Sequence, residues 1–210
     1  MAKFGLACEG ITDQIVIENI LCGHYKEYDD LDEEIHPLQP ARDETGKSGF
    51  SNWEILLKYL SEKRFKDDVL NSEYIVIQID TDISEHVNFN VSHSDKENKE
   101  LSTEKLIENI KSHLIEKIGT EFYDGHKEKI IFAISVHSLE CWILPLYKKL
   151  EKEKTKGCNS ALKIASKEIS VEKNQKTYDE LSRPFLKNKI LKKQKNSSLK
   201  NFILNLPTIS

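Results

Sequence analysis

The stretch Tyr74-Ile75-Val76-Ile77-Gln78-Ile79-Asp80-Thr81-Asp82 decides how this chain is read. Tyr74 to Ile79 carries alternating β-branched residues, the signature of a strand. Two carboxylates, Asp80 and Asp82, follow where that strand ends. On an extended strand end, residues i and i+2 project to the same side, about 6–7 Å apart at Cα. The chain opens with a second such place. Phe4 to Cys8 reads as a buried strand, and Glu9-Gly10-Ile11-Thr12-Asp13 follows it directly. Gly10 permits a tight turn, and the four-residue step from Glu9 to Asp13 can bring both carboxylates to one side of a strand-to-helix corner.

In an open α/β sheet, chemistry gathers at the carboxyl ends of the strands. No Lys or Arg lies beside either motif in the sequence. Converging carboxylates repel strongly unless a cation stands between them. Hard oxygen donors of this kind suit Mg²⁺ or Mn²⁺. Each motif also has a plainer reading. Asp13 can simply favour a helix N-terminus, and a DxD pair also occurs in nucleotide-sugar transferases, haloacid-dehalogenase-like phosphatases and surface loops. A third strand, Ile130 to Val136, runs into His137-Ser138-Leu139-Glu140-Cys141-Trp142. Glu140 either reaches the same rim or sits in the first turn of a helix capped by Ser138. His137 is either an acid/base group or structural.

Working outward, Thr12 is expected to cap a helix over Asp13–Leu21, with Gly23 as its stop. Glu27 to Glu34 reads as an exposed acidic loop, Ile35 to Leu38 as a short second strand, Phe50 to Arg64 as an amphipathic helix, and Leu101 to Ile118 as another. Ile83 to Glu100 is a long polar loop beside the second acidic motif. Gly46-Lys47-Ser48 is no phosphate-binding loop, because Ala41 stands where its upstream glycine belongs. Strands alternating with helices predict an α/β fold, a mainly parallel four-stranded, Rossmann-like sheet flanked by helices. The expected organisation is a catalytic domain over residues 1–147 and a basic helical extension over 148–210.

The net charge of −4 conceals a division. Residues 1–146 hold 15 Lys/Arg against 29 Asp/Glu, a net of −14, and residues 147–210 hold 16 against 6, a net of +10. An acidic body beside a basic third suits a metal centre next to a polyanion-binding surface, although Lys-rich helices are also commonly just solvated faces. Lys187, Lys189, Lys192 and Lys193, with Arg183, Tyr178 and Phe185 interleaved, are the candidate nucleic-acid contacts. The longest apolar run, near Ile130 to Ile134, is far too short to cross a bilayer. The N-terminus runs straight into a strand without the pattern of a signal peptide. Cys8, Cys22, Cys141 and Cys158 are scattered, with no CxxC pair, and are expected to be free thiols in a reducing cytoplasm.

Glu9-Gly10 after the first strand, Asp80-Thr81-Asp82 after a later one and the alternating helices together resemble the TOPRIM domain of topoisomerases, bacterial primases and several nucleases. The form Glu9-Gly10-Ile11-Thr12-Asp13 is similar to the overcoming-lysogenization-defect (OLD) type of TOPRIM nuclease. The stretch Ser138-Leu139-Glu140-Cys141-Trp142-Ile143-Leu144 is similar to small stand-alone relatives linked to phage defence. The resemblance covers roughly residues 3–147. It implies a TOPRIM-like fold and an Mg²⁺- or Mn²⁺-dependent nuclease that hydrolyses phosphodiester bonds in DNA or RNA, the effector of a bacterial anti-phage system. On this footing Glu9, Asp80, Asp82 and Glu140 would be catalytic, and Glu9, Asp13, Asp80 and Asp82 would hold metal. It also leaves room for a module that is non-catalytic or activated by an ATPase or sensor partner, for a homo-oligomer, and for a primase-like nucleotidyl transferase. The sequence departs from full OLD nucleases in carrying no ATPase domain.

Overall fold

A computed structural model describes residues 2–41, 52–150, 153, 155–166, 171–191 and 195–209, with the backbone alone at 189 and 190. The chain runs through β1 (Ala2–Cys8), α1 (Ile11–His24), a 3₁₀ turn (Leu31–Glu34), β2 (Ile35–Gln39), α2 (Trp53–Ser61), α3 (Lys63–Asn71) and β3 (Ser72–Asp80). It continues through α4 (Thr103–Ile118), α5 (Thr120–His126), a 3₁₀ turn (Lys127–Lys129), β4 (Ile130–Ser135) and α6 (Glu140–Tyr147). The remainder is helical: α7 (Cys158–Ala165), α8 (Gln175–Ser182), a 3₁₀ turn (Arg183–Leu186), α9 (Asn188–Leu191) and α10 (Ser197–Leu204).

The strands form one parallel sheet among the described residues, in the order β2-β1-β3-β4. This is the four-stranded parallel α/β architecture that the alternating pattern predicts. The two-residue period of a strand divides the core into two layers. Phe4, Leu6 and Cys8 of β1, Val76 of β3 and Ile131 and Ala133 of β4 face one layer, where they meet Val16, Ile17 and Ile20 of α1 and Trp142 of α6. Ala7, Ile75, Ile77, Ile79, Ile130, Phe132 and Ile134 face the other, against Leu56 and Leu60 of α2, Phe65 of α3 and Ile110 and Leu114 of α4. Right-handed crossovers explain this division: the connection from β1 to β2 runs one way along the sheet and those to β3 and β4 run the other way, so their helices cover opposite faces.

The helices beyond Tyr147 lie on the α1 face. Leu162, Tyr178, Leu181, Phe185, Leu199 and Phe202 are all buried in the same layer as β1 and α1. Tyr178 is 1% and Phe185 0% exposed, so neither aromatic is available to stack on a base. Their apolar burial outweighs any surface role that the interleaved lysines suggested.

Several local expectations are corrected. The first helix begins earlier, at Ile11, with Gly10 in the capping position, so Thr12 lies in the first turn and caps nothing. Gly23 does not stop α1. It is there for space, because a Cβ would stand 2.0 Å from the Phe185 carbonyl oxygen of the turn packed across it. The helix expected over Phe50–Arg64 breaks at the extended Glu62 (φ −84°, ψ 155°), and α3 follows as a separate helix. Residues 50 and 51, and the 43–49 loop, lie outside the described residues. Ser138 does not cap α6 with its side chain; Leu139 holds that position. Cys141 and Cys158 are not free thiols. The hairpin of α6 and α7 brings their Cα atoms to 5.0 Å and they form a disulfide, while Cys8 and Cys22 form no disulfide. No helix among the described residues is long and apolar enough to cross a membrane.

Candidate functional site

The switch point of the sheet lies between β1 and β3, whose outgoing connections leave in opposite directions. In open parallel sheets this is the place for a ligand crevice. Cys8 pairs with Gln78, and Asp80 pairs with Ser135 of β4. Glu9 and Asp80 therefore leave neighbouring strands side by side. The five carboxylates expected from the sequence share this rim: the charge of Glu140 acts on Glu9, Asp13, Asp80 and Asp82, that of Glu9 on Asp13 and Asp80, and that of Asp82 on Glu9.

Glu9 directly follows β1. Its Oε2 is buried with no hydrogen-bond partner. Burial first, and then the Asp82 charge, push its carboxyl up to about 7 against the pull of an Asp80 backbone hydrogen bond and of Lys173. Asp13 comes from the first turn of α1. A Cβ at position 10 would stand 2.8 Å from Asp13 Oδ2, so the glycine there leaves room for this carboxylate over the strand-to-helix corner. Burial and then Glu9 raise the Asp13 carboxyl to about 7. Asp80 ends β3. Its Oδ1 accepts hydrogen bonds from Ser135 Oγ and from Gln78 Nε2, the latter at 3.0 Å. Burial, then Asp13 and Glu9, hold its carboxyl well above the usual range despite the Ser135 hydrogen bond.

Asp82 is exposed, and its backbone N–H donates to the His137 carbonyl at 3.0 Å. The partial covering of its carboxyl, and then Glu140, raise it against Lys173. Glu140 opens α6 and is 4% exposed. Its Oε1 accepts the hydroxyl of Tyr178 from α8, which fixes its direction. Burial and the Glu140 charge raise the Tyr178 hydroxyl, which stays protonated as the donor.

The sequence offered no cation for this cluster, yet the fold brings one. Lys173, just before α8, has its ammonium held above the ordinary value because Glu140, Asp13, Asp80 and Glu9 outweigh the opposing effect of burial. Lys173, Gln78 and Ser135 were missed by sequence reasoning, and Tyr178, placed there in the basic tail, is instead the partner of Glu140. The start of α8 was legible, since Asn174 Oδ1 accepts the Thr177 N–H at 2.9 Å as a capping side chain does. Which carboxylates the preceding lysine would face depends on α8 packing against α1, more than 150 residues away in the chain.

His137 adopts a left-handed backbone (φ 62°), with its N–H on Thr81 Oγ1 at 2.8 Å. Its ring stands edge-on to that of His93 at 5.0 Å, and its Nε2 is 3.9 Å from Glu100. Burial lowers its pKa, followed by His93 and Lys156. Of the candidate nucleic-acid contacts, Lys187 is exposed after the 3₁₀ turn at Arg183–Leu186. The side chains of Lys189, Lys192 and Lys193 lie outside the described residues.

The donor set is all oxygen, and the orphaned Glu9 Oε2 is the kind of buried atom a cation satisfies, so the chemistry fits Mg²⁺ or Mn²⁺. Among the described residues, however, no three His, Cys, Asp or Glu side chains are gathered closely enough to hold one ion as they stand. No protein-family model matches the chain, and no curated protein or solved structure matches it.

Proposed function

We propose that the protein is a metal-dependent nuclease of TOPRIM type that hydrolyses phosphodiester bonds in DNA or RNA, and that it serves as the effector of a bacterial anti-phage system. The convergence of Glu9, Asp13, Asp80, Asp82 and Glu140 at the sheet's switch point, with Glu9 Oε2 lacking a partner, carries this reading. Glu9, Asp80 and Asp82 would hold the cation, with Asp13 beside them. A bound Mg²⁺ or Mn²⁺ supplies Lewis acidity toward the phosphodiester and makes water a better nucleophile at neutral pH. Glu140, whose Oε1 accepts the Tyr178 hydroxyl, would serve as the proton acceptor at the rim. Lys173 puts a positive charge where an anionic phosphate would otherwise meet only carboxylates. The exposed Lys163, Lys176, Arg183, Lys187 and Lys200 supply a sequence-independent hold on the backbone of the nucleic acid.

One observation favours a second reading, a module activated by a partner. The carboxylates are near one another but not gathered onto a single point, and Lys173 already offsets part of their charge. An ATPase or sensor protein that draws the C-terminal layer inward or outward would then control the site. Purified protein incubated with plasmid, single-stranded DNA and total RNA in Mg²⁺, Mn²⁺ or EDTA separates the two. Metal-dependent cutting that disappears in Asp80→Ala/Asp82→Ala supports the nuclease. Metal binding without cutting supports the partner-activated module. Cutting that survives the double substitution refutes the proposed mechanism.

A further inference from the structure

We propose that Gln78 is a positioning residue that fixes which oxygen of Asp80 is offered to a divalent cation, an inference that rests on the metal-dependent reading above. Gln78 is a polar side chain with 0% exposure near the carboxyl end of the interior strand β3, two residues before Asp80 and on the same side of the strand. Burying such an amide is unfavourable unless its hydrogen bonds are made. Here they are made to three strand ends at once. Nε2 donates to Asp80 Oδ1 at 3.0 Å and to Ser135 Oγ of β4 at 3.3 Å. Oε1 accepts the backbone N–H of Glu9, just beyond β1, at 3.4 Å.

The network fixes its own orientation. Turning the amide over would set Oε1 against Asp80 Oδ1 and the NH₂ group against the Glu9 N–H, two repulsions in place of two attractions. Ser135 donates its own proton to the same Asp80 oxygen. Oδ1 is thus occupied by two donors, and Oδ2 makes no hydrogen bond among the described residues. Rotating the carboxylate to present Oδ1 would break both bonds. Gln78 also sets where β1 releases Glu9, so one buried amide registers the two carboxylates that leave neighbouring strands. Groups that orient a metal-ligating carboxylate act through that ligand: their loss typically weakens metal binding or activity by about 10–100-fold.

A buried glutamine can also be no more than a satisfied core amide, and the experiment must separate the two roles. Mn²⁺ affinity is measured by the loss of the free-ion paramagnetic signal for the parent, Gln78→Met, Ser135→Ala and their double variant, with Asn19→Leu as control. Methionine keeps the length and volume of glutamine and removes its hydrogen bonds. Asn19 is another buried amide, bonded to Ser182 Oγ at 2.8 Å on the helical face. The inference expects Gln78→Met to weaken Mn²⁺ by about 10–100-fold. Ser135→Ala should weaken it as well, and the double variant by less than the product of the two, because both donors serve one oxygen. Asn19→Leu should lower the thermal midpoint without changing Mn²⁺ affinity. If folded Gln78→Met binds Mn²⁺ within twofold of the parent, the positioning role is wrong. If Gln78→Met does not fold, Ser135→Ala alone decides by the same criterion. A parent that binds no Mn²⁺ overturns the metal reading and this inference with it.

Discussion

Replacing Asp80 with asparagine should make the metal-free protein more stable at pH 8 and abolish its stabilisation by divalent cations. Asparagine preserves the shape and the Oδ1 acceptor for Ser135 and Gln78 but removes one charge from the cluster. The magnitude follows from the raised carboxyls. For Glu9 the rise from 4.5 to about 7 corresponds to ~3 kcal/mol at 1.36 kcal/mol per pH unit, burial and neighbouring charge together. A carboxyl with a raised folded-state pKa leaves the fold at full stability below its ordinary range. That stability is lost as pH rises through the raised value, here about 7 for Glu9 and Asp13. Asp80 is raised for the same reasons, burial first and then Asp13 and Glu9. Removing its charge should therefore recover about 1–3 kcal/mol at pH 8 and much less at pH 5, where the raised carboxyls of Glu9 and Asp13 already carry protons. In a chain of this size the pH 8 gain reads as about 2–4 °C per kcal/mol in thermal midpoint. The assay is thermal unfolding of parent and variant in EDTA at both pH values, repeated with Mn²⁺. An equal gain at pH 5 and pH 8, or a loss at pH 8, would refute the electrostatic account of the site.

Three further expectations follow from the geometry. Lys173→Met should have the opposite effect, lowering metal-free stability at pH 8 more than at pH 5, and should cut the cleavage rate by on the order of 10²-fold if the ammonium meets the phosphate; pH-dependent melts and single-turnover rates check both. Gly23→Ala should destabilise by about 1–3 kcal/mol in urea unfolding, because the new methyl would meet the Phe185 carbonyl where α1 and the C-terminal layer touch; an unchanged midpoint would contradict that close approach. Reducing the Cys141–Cys158 bridge, whose sulfurs are 17 residues apart in sequence, should lower stability by about 2–4 kcal/mol, and Cys158→Ser should reproduce the loss without dithiothreitol.

The sheet was legible because strand periodicity and the strand-ending carboxylates speak locally. Tyr74 to Ile79 and Ile130 to Val136 needed no tertiary information, and each lies within one or two residues of the strand observed. The helix boundaries were less legible where a residue serves packing more than local structure. Gly23 looked like a stop because glycine usually frees the backbone; here it makes room for a carbonyl from residue 185. Tyr178 and Phe185 read as aromatics interleaved in a basic tail, but the C-terminal helices bury them against α1. The five carboxylates were readable as a set, while their partners were not. Lys173 and Tyr178 come to Glu140 through the packing of α8 against α1, and Gln78 reads as an unremarkable strand residue until β1 and β4 flank it.

The measurement to make is a crystal soaked in Mn²⁺ and recorded at a wavelength where manganese scatters anomalously. The account expects an anomalous peak in contact with the carboxylates of Glu9 and Asp80 at the junction of β1 and β3, absent from crystals of Asp80→Asn. No peak there at millimolar Mn²⁺, with the Lys173 ammonium lying among the carboxylates, would contradict the assignment of this rim as a metal centre.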